Sequence, residues 1–297
     1  MRASILCVFC GVWLAACGGE GADPVAAPEA EATSGGVGEA GAEAGAEEEA
    51  EPGPIEAAVA GSHRSEENRA RDRYRHPVET LKLFGLEPDM TVVEMLPGRG
   101  WYTEILAPVL REEGRLIAAI PDPEAEGYVG RIAREYRDEF LRSHPEVYDR
   151  VETVVFSPPD EVRLGPPESA DMVVTFRSAH NWVRRTDPKV VFEAMAEVLE
   201  PGGILGFVQH RAPEGADPEE WAEKGYLPEA YVIELAEEAG LELVERSEIN
   251  ANPKDTKDHP EGVWSLPPSL REGPEPKYQE IGESDRMTLV FRKPASE

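Results

Sequence analysis

The chain has 297 residues, with 59 acidic and 30 basic side chains and a formal net charge of −29 at pH 7. A chain this acidic repels the phosphate backbone of nucleic acids, so we expect no general nucleic-acid binding. Its cysteines, Cys7, Cys10 and Cys17, all lie before residue 18. This excludes a disulfide framework, a thiol nucleophile and a cysteine-ligated metal site from the rest of the chain.

The N-terminal segment predicts export. Arg2 gives a positive start, and residues 5–17, ILCVFCGVWLAAC, form an apolar run that is too short to cross a bilayer. This combination is typical of a secretory signal peptide. The ending LAAC resembles a bacterial lipobox, which implies cleavage before Cys17, a lipid anchor on that cysteine and a place on the periplasmic side of the outer membrane. An ordinary cleaved signal would also export the chain.

Residues 18–60 have the composition of a linker. They hold eleven acids and no base among many alanines, glycines and prolines. Such a segment lacks the apolar surface that a core needs, so we expect it to be disordered. Residues 61–297 are long enough for one domain with a hydrophobic core.

Strands and helices alternate along this domain. Apolar runs predict seven strands, at 91–95, 115–120, 151–156, 170–176, 204–210, 241–249 and 286–293. Helical spacing predicts helices at 77–84, 101–110, 128–141, 187–199 and 227–239. The order predicts an α/β fold, a doubly wound and mostly parallel sheet with helices on both faces. The last two strands have no predicted helix between them.

Ligands of such sheets bind beyond the carboxyl ends of the strands. The first strand ends at a glycine turn that leads into a helix, VVEMLPGRGWYTEIL over residues 92–106. The pyrophosphate of NAD or FAD requires the pattern G-x-G-x-x-G. The turn reads GRGWYT from Gly98 onward and lacks the third glycine. The sequence therefore argues against an NAD-linked oxidoreductase.

The same turn resembles motif I of the class I (Rossmann-like) SAM-dependent methyltransferases, in which an acidic residue ends the first strand before a G-x-G-x-G turn. Glu94 stands at the acidic position, and Gly98 and Gly100 stand at the last two glycines. Asp122 follows the second strand, where the family holds the ribose hydroxyls of S-adenosylmethionine. Leu96 replaces the first glycine, and its side chain would point either into the sheet or toward the methionine end of the cofactor.

Other segments extend the resemblance over nearly the whole domain. LEPGGILGF at 199–207 is similar to the family's connection into the fifth strand. The closing pair of strands is similar to the family's final hairpin, which implies an antiparallel last strand. RHPVETL, GWYTEILAP, TFRSAHNW and IGESDRMTL together resemble a subgroup of exported predicted methyltransferases. The resemblance implies S-adenosylmethionine as the cofactor.

The loop after the fourth strand, FRSAHNW at 176–182, supplies the candidate catalytic residues. In the family this loop faces the methyl group and the acceptor, which implies His180 as a general base and Asn181 as a holder of the acceptor. Trp182 would stack on a flat substrate. In the alternative, the histidine and the asparagine satisfy loop backbone and Trp182 fills the core. His210, at the end of the fifth strand, is a further candidate for substrate contact.

A polar, proline-rich insert at 250–284 separates the last two strands and is longer than ordinary connections. We expect it to be a lid over the acceptor site, with His259 and Trp264 on it. Asp258 and His259 have no second ligand pair at a suitable spacing, so no metal site is predicted.

The sequence leaves two function hypotheses. The first is a lipid-anchored SAM-dependent methyltransferase that acts on a small molecule or an envelope component, and the acids and glycines of the turn favour it. The second is a non-catalytic periplasmic binding module with the same fold. Leu96 and the export of the chain favour the second hypothesis, because S-adenosylmethionine is made in the cytosol. The fold alone does not decide between them.

Overall fold

A seven-stranded sheet lies at the centre of the computed structural model, which describes residues 52–295. Its strands are β1 (Thr91–Met95), β2 (Arg115–Ile120), β3 (Glu152–Val155), β4 (Ala170–Phe176), β5 (Leu199–His210), β6 (Glu242–Ser247) and β7 (Arg286–Arg292). The order across the sheet is β3-β2-β1-β4-β5-β7-β6. Strands β1 to β5 pair in parallel, whereas β7 is antiparallel to both β5 and β6. The predicted fold is confirmed, including the antiparallel last strand.

Helices connect the strands and cover the sheet. They are α1 (Pro54–Ala60), α2 (Glu66–Arg69), α3 (Asp72–Arg75), α4 (Pro77–Phe84), α5 (Thr103–Leu110), α6 (Gly127–Arg134), α7 (Leu141–Ser143), α8 (Pro145–Tyr148), α9 (Ala179–Arg185), α10 (Pro188–Val198), α11 (Pro218–Ala222), α12 (Glu229–Glu238) and α13 (Pro276–Ile281). A π-helix (Glu135–Phe140) joins α6 to α7, and a 3-10 helix (Gly262–Ser265) lies in the insert. The helix predicted at 128–141 is therefore divided into α6 and the π-helix.

Apolar side chains cover both faces of the sheet, because successive residues of a strand point to opposite sides. Val92 and Val174 belong to a buried cluster with side chains of α1, α4 and α5. Val93 and Val173 belong to a second cluster with side chains of α9, α10 and α12. Burial on both faces explains why the central strands read as nearly continuous apolar runs.

The predicted linker ends earlier than residue 60. Residues 54–60 form α1, which begins at Pro54 and buries Ile55 and Ala58 in the cluster that contains α5. The expected disorder is wrong for these residues, because their apolar side chains find a packing surface on the domain. The predicted signal peptide with Cys17 and the predicted linker up to residue 51 lie outside the described residues. Within 52–295, no helix is long and apolar enough to cross a membrane.

The insert between β6 and β7 is attached to the domain through the buried carboxylate of Asp255. This carboxylate accepts hydrogen bonds from the hydroxyl of Tyr226 at 3.1 Å and from the backbone N–H of Asp285 at 2.8 Å. His259 Nε2 lies 2.9 Å from the same carboxylate. A buried carboxylate is costly unless it is hydrogen-bonded. These contacts therefore hold the insert in one place and give His259 a structural role.

Candidate functional site

The carboxyl ends of the central strands open into a cleft of ≈ 530 Å³. Gly98 lines the cleft from the turn after β1, His180 and Asn181 from α9, and His210 from the end of β5. Trp264 of the insert also lines it. A cavity of this size is typical of small-molecule sites. The structure thus brings together half of the residues that the sequence predicts as a site.

The two glycines of the turn have different surroundings. Gly98 has φ +64° and no atom within 4 Å of the position that a Cβ would take, so its backbone is open towards the cleft. Gly100 has φ +86°, and a Cβ there would meet the ring of Phe140 at 2.4 Å. A close protein contact therefore explains Gly100, which does not line the cleft. Only Gly98 leaves space for a ligand to approach its backbone.

Glu94 lies inside the protein rather than in the cleft. It is 1% exposed, and the hydroxyl of Thr103, at the start of α5, donates a hydrogen bond to its Oε2 at 2.6 Å. The Thr103 hydroxyl has one proton, which it donates to Glu94. The Tyr136 hydroxyl, 3.1 Å away, is therefore the donor to Thr103. Burial raises the pKa of Glu94 to about 7, and the Thr103 hydrogen bond offsets part of that rise. The three side chains link β1, α5 and the π-helix.

Leu96 has a backbone conformation that glycine adopts more readily than leucine. Its φ is +49°, in the left-handed region that a leucine rarely adopts. Its side chain packs against the cluster formed with α10 and α12. Of the two orientations expected from the sequence, the one into the sheet is observed, so Leu96 does not fill the cleft.

Asp122 shapes the turn after β2. Its Oδ1 accepts a hydrogen bond from the backbone N–H of Glu124 at 2.8 Å, which is an Asx turn. The side chain is partly buried and does not line the cleft. Turn chemistry thus accounts for one carboxylate oxygen, and the other forms no hydrogen bond with the described residues.

His180 is a buried, neutral imidazole. The side-chain amide nitrogen of Gln209, Nε2, donates a hydrogen bond to the Gly225 carbonyl at 3.0 Å. This contact sets the orientation of the amide, so the same nitrogen lies 3.3 Å from His180 Nδ1. Nδ1 must therefore accept, and the proton of the neutral ring is on Nε2. Burial, with a contribution from the charge of Arg184, lowers the pKa of His180 to about 3. The geometry favours a hydrogen-bond donor over the general base expected from the sequence.

His210 lies beside His180, with 5.9 Å between the ring centroids. Its Nδ1 forms a hydrogen bond with the hydroxyl of Ser284. Burial, with a contribution from the charge of Arg286, lowers the pKa of His210 well below its usual value. A serine hydroxyl can donate or accept, so Nε2 of His210 is an acceptor in one tautomer and a donor in the other. Because its pKa is lowered, His210 is, like His180, suited to hydrogen bonding and not to taking up a proton.

The other residues of the predicted catalytic loop separate into two roles. From Ala179 onward this segment is helix α9 rather than a loop. Asn181 is partly exposed, lines the cleft, and its side chain forms no hydrogen bond with residues 52–295. Trp182 is 3% exposed and packs edge-to-face on Phe192 at 5.9 Å. Asn181 is thus free to contact a ligand, whereas Trp182 fills the core.

The insert forms a wall of the cleft, in the place where the sequence predicts a lid. Trp264 meets the ring of His180 edge-to-face, with 5.7 Å between centroids. The guanidinium of Arg271 lies over the Trp264 indole at 4.5 Å. Both side chains line the cleft. The insert therefore contributes directly to the shape and the charge of this cavity.

A buried carboxylate, Glu283, also lines the cleft and joins three arginines. Arg71 Nε donates to its Oε1 at 2.7 Å, Arg75 Nε donates to its Oε2 at 3.0 Å, and Arg286 Nη2 donates to the same Oε2. Burial raises the pKa of Glu283, but the charges of Arg286, Arg177 and Arg71 outweigh it and hold the pKa below its usual value. No group of three or more potential metal ligands occurs in the part of the chain that the structure describes.

The sheet order, with its antiparallel β7 after a parallel core, is that of the Rossmann-like fold of class I SAM-dependent methyltransferases. A SAM-dependent methyltransferase from Aquifex aeolicus is similar in structure, with a TM-score of 0.50 and 18% identity over 75% of this chain and 93% of that chain. The cyclase SpnF is similar with a TM-score of 0.52 and 16% identity, over 80% of this chain and 85% of that chain. No protein-family model and no curated protein matches the sequence. At sequence identities of 16% and 18%, this structural similarity establishes the fold.

The residues at the turn fit S-adenosylmethionine in part. Gly98 presents an open backbone to a cavity of suitable size, which a closely packed cofactor requires. Asp122 has one carboxylate oxygen available beside its turn. Glu94 is held by Thr103 beneath the turn and does not face the cleft. The fit is therefore at the glycine turn and not at the buried acid.

Proposed function

We propose that the chain is a SAM-dependent methyltransferase whose acceptor, a small molecule or an envelope component, binds in the cleft. The observation that carries the proposal is that Gly98, the open glycine of the turn, shares one cleft with His180 and Asn181. When bound, S-adenosylmethionine supplies a methyl group on a positively charged sulfur. The backbone of Gly98 would hold it in the cleft, and Glu94 would support the turn through Thr103.

The polar side chains of the cleft orient the acceptor. His180 donates a hydrogen bond from Nε2, because Gln209 occupies Nδ1. Asn181 contributes an amide that can donate and accept. His210 adds a further hydrogen bond from Nε2, and the proton that the acceptor releases passes to solvent, because the lowered pKa of both histidines makes them weak bases. Methyl transfer depends mainly on bringing the nucleophile and the methyl group into line, so orientation has a larger effect here than a base.

Calorimetric titration of the chain from Gly18 with S-adenosylmethionine and S-adenosylhomocysteine tests this proposal. Gly98→Leu places a side chain in the space at the turn and is expected to weaken binding at least about tenfold. Gly240→Leu is the matched control, because Gly240 also has a positive φ, +83°, and no atom within 4 Å of a Cβ, but lies outside the cleft. It carries the same backbone strain and should bind like the wild type.

A non-catalytic binding module is the second candidate. It is favoured by the contacts that engage Glu94 and Gly100 inside the protein and by the turn role of Asp122, since none of the three lines the cleft. The cyclase SpnF has a similar fold, and one fold often serves several functions. If the folded wild-type chain does not bind S-adenosylhomocysteine at about 1 mM, its binding free energy is weaker than about −4 kcal/mol. Methyl transfer is then wrong and the binding module stands.

We further propose that the chain is exported and anchored by lipid on Cys17. The support is the short apolar run before the LAAC sequence and the absence of any other cysteine after it. Expressed in a bacterium, the wild-type chain should sediment with the outer membrane and incorporate labelled palmitate. Cys17→Ser should abolish the labelling and release the chain into the soluble fraction. Labelling that persists in Cys17→Ser would contradict the proposal.

A further inference from the structure

The cleft is cationic although the chain is strongly acidic. The net charge is −29, yet the charged side chains that line the cleft are one glutamate and five arginines, Arg177, Arg184, Arg185, Arg271 and Arg286. They come from the end of β4, from α9, from the insert and from β7. Arg184 pairs with Glu223 and Arg271 pairs with Glu261, so their charges are partly compensated. The remaining like charges repel one another unless an anion binds there.

Arg177 is the least compensated of these arginines. It is partly buried, and it forms no ion pair and no side-chain hydrogen bond with residues 52–295. Burial, with a contribution from Arg286, lowers its pKa to about 10, so it is still charged at neutral pH. Its φ is +60°, a backbone conformation that is strained for a side chain of this size. A strained, partly buried cation in a cleft that is unpaired among residues 52–295 calls for a partner beyond these residues.

Glu283 cannot serve as that partner. Its two oxygens already accept hydrogen bonds from Arg71, Arg75 and Arg286, so one negative charge faces three positive charges. The Nε of Arg286 is also buried without a hydrogen-bond partner among the described residues. A buried donor without a partner loses its hydration and gains nothing in return. The excess charge and the free donors therefore point to an acceptor-rich ligand group.

We propose that the ligand of the cleft carries an oxyanion, a phosphate or a carboxylate, which binds to Arg177 and Arg286. The planar fork of a guanidinium matches the paired oxygens of both groups. A second cavity of ≈ 290 Å³ shares Arg184, Arg185 and Arg271 with the cleft, but Glu223 and Glu261 line it as well. The oxyanion is therefore placed in the main cavity. We identify this ligand with the methyl acceptor, and only that identification rests on the proposed function.

Titration of the chain from Gly18 with inorganic phosphate and with acetate, at constant ionic strength, tests the inference. Arg177→Met is expected to weaken binding of the preferred anion at least about tenfold, because a hydrogen-bonded ion pair is lost. Arg115→Met is the control for charge, since Arg115 is exposed, pairs with Glu152 and lies outside the cleft. The control should bind like the wild type, and Arg177→Lys should retain part of the affinity.

Stability gives an independent measurement on the same variants. Removal of an unpaired, partly buried cation should leave the free energy of unfolding of Arg177→Met equal to that of the wild type or higher. The combination of weaker anion binding with unchanged or greater stability is the expected result. A clear loss of stability would show that Arg177 is structural and would overturn the inference, as would failure of both anions to bind to the wild-type chain.

Competition separates the acceptor from the cofactor, since S-adenosylhomocysteine carries a carboxylate of its own. Simultaneous binding of phosphate or acetate and S-adenosylhomocysteine supports an oxyanion on the acceptor. Mutual exclusion would overturn it, because the arginines would then serve the cofactor. Binding of the anion alone, with no binding of S-adenosylhomocysteine, keeps the oxyanion site and rejects only the proposed methyl transfer.

Discussion

Replacement of Glu283 by glutamine is expected to destabilise the protein by about 3–5 kcal/mol. The glutamate is 3% exposed and is the common acceptor for Arg71, Arg75 and Arg286. Arg75 and Arg286 are each 2% exposed, so they cannot regain water when the negative charge is removed. Glutamine keeps the size of the side chain and changes only its charge and its accepting capacity. Urea denaturation of the two proteins measures the difference.

Glu152→Gln is the matched control for this prediction. Glu152 also forms a hydrogen-bonded pair with an arginine, Arg115, at 2.9–3.1 Å, but both side chains are more than half exposed. Exposed pairs of this kind contribute less than about 1 kcal/mol. Comparable losses in Glu152→Gln and Glu283→Gln would show that the buried network contributes no more than a surface ion pair.

The central strands could be predicted from the sequence with their bounds. The runs at β1, β2 and β4 are apolar on both faces and end at turn residues, so neither their period nor their length is ambiguous. Helix α9 could not be predicted, because AHNWVRR is short and mixes polar and apolar residues. It is stabilised by tertiary packing, in which Trp182 contacts Phe192 and Phe207.

The sequence predicts only those residues of the candidate site whose position follows from the order of strands and helices. Gly98 and His180 lie at carboxyl ends of parallel strands, so the sequence places them at one edge of the sheet. Arg271 and Arg286 belong to the insert and β7, and no local pattern places them beside Arg177. One signal was present, the three arginines within residues 177–185 of a very acidic chain. The buried position of Glu94 could not be predicted from the sequence either, because it depends on contacts with Thr103 and Tyr136.

Glu94→Gln is expected to change how stability depends on pH. The pKa of a free glutamate is 4.5, and burial raises that of Glu94 to about 7 in the folded protein. A raised pKa means that the folded state binds the proton more tightly than the unfolded state. The contribution of Glu94 to stability is thus complete below pH 4.5 and is lost as the pH rises through 7. A shift of this size corresponds to a change on the order of 3 kcal/mol.

The free energy of unfolding of the wild type should therefore fall, relative to that of Glu94→Gln, between pH 5 and pH 8. Above that range the difference between the two proteins should be constant. Glutamine can still accept the hydrogen bond of Thr103, so the comparison isolates the ionisation. Thr103→Val provides a second check, because loss of that hydrogen bond raises the pKa of Glu94 further and should move the fall to higher pH. Parallel curves for Glu94→Gln and wild type would contradict the raised pKa. A fall near pH 7 would mean that Glu94 ionises within the physiological range, and the turn that carries Gly98 would then gain a buried charge under it as the pH rises.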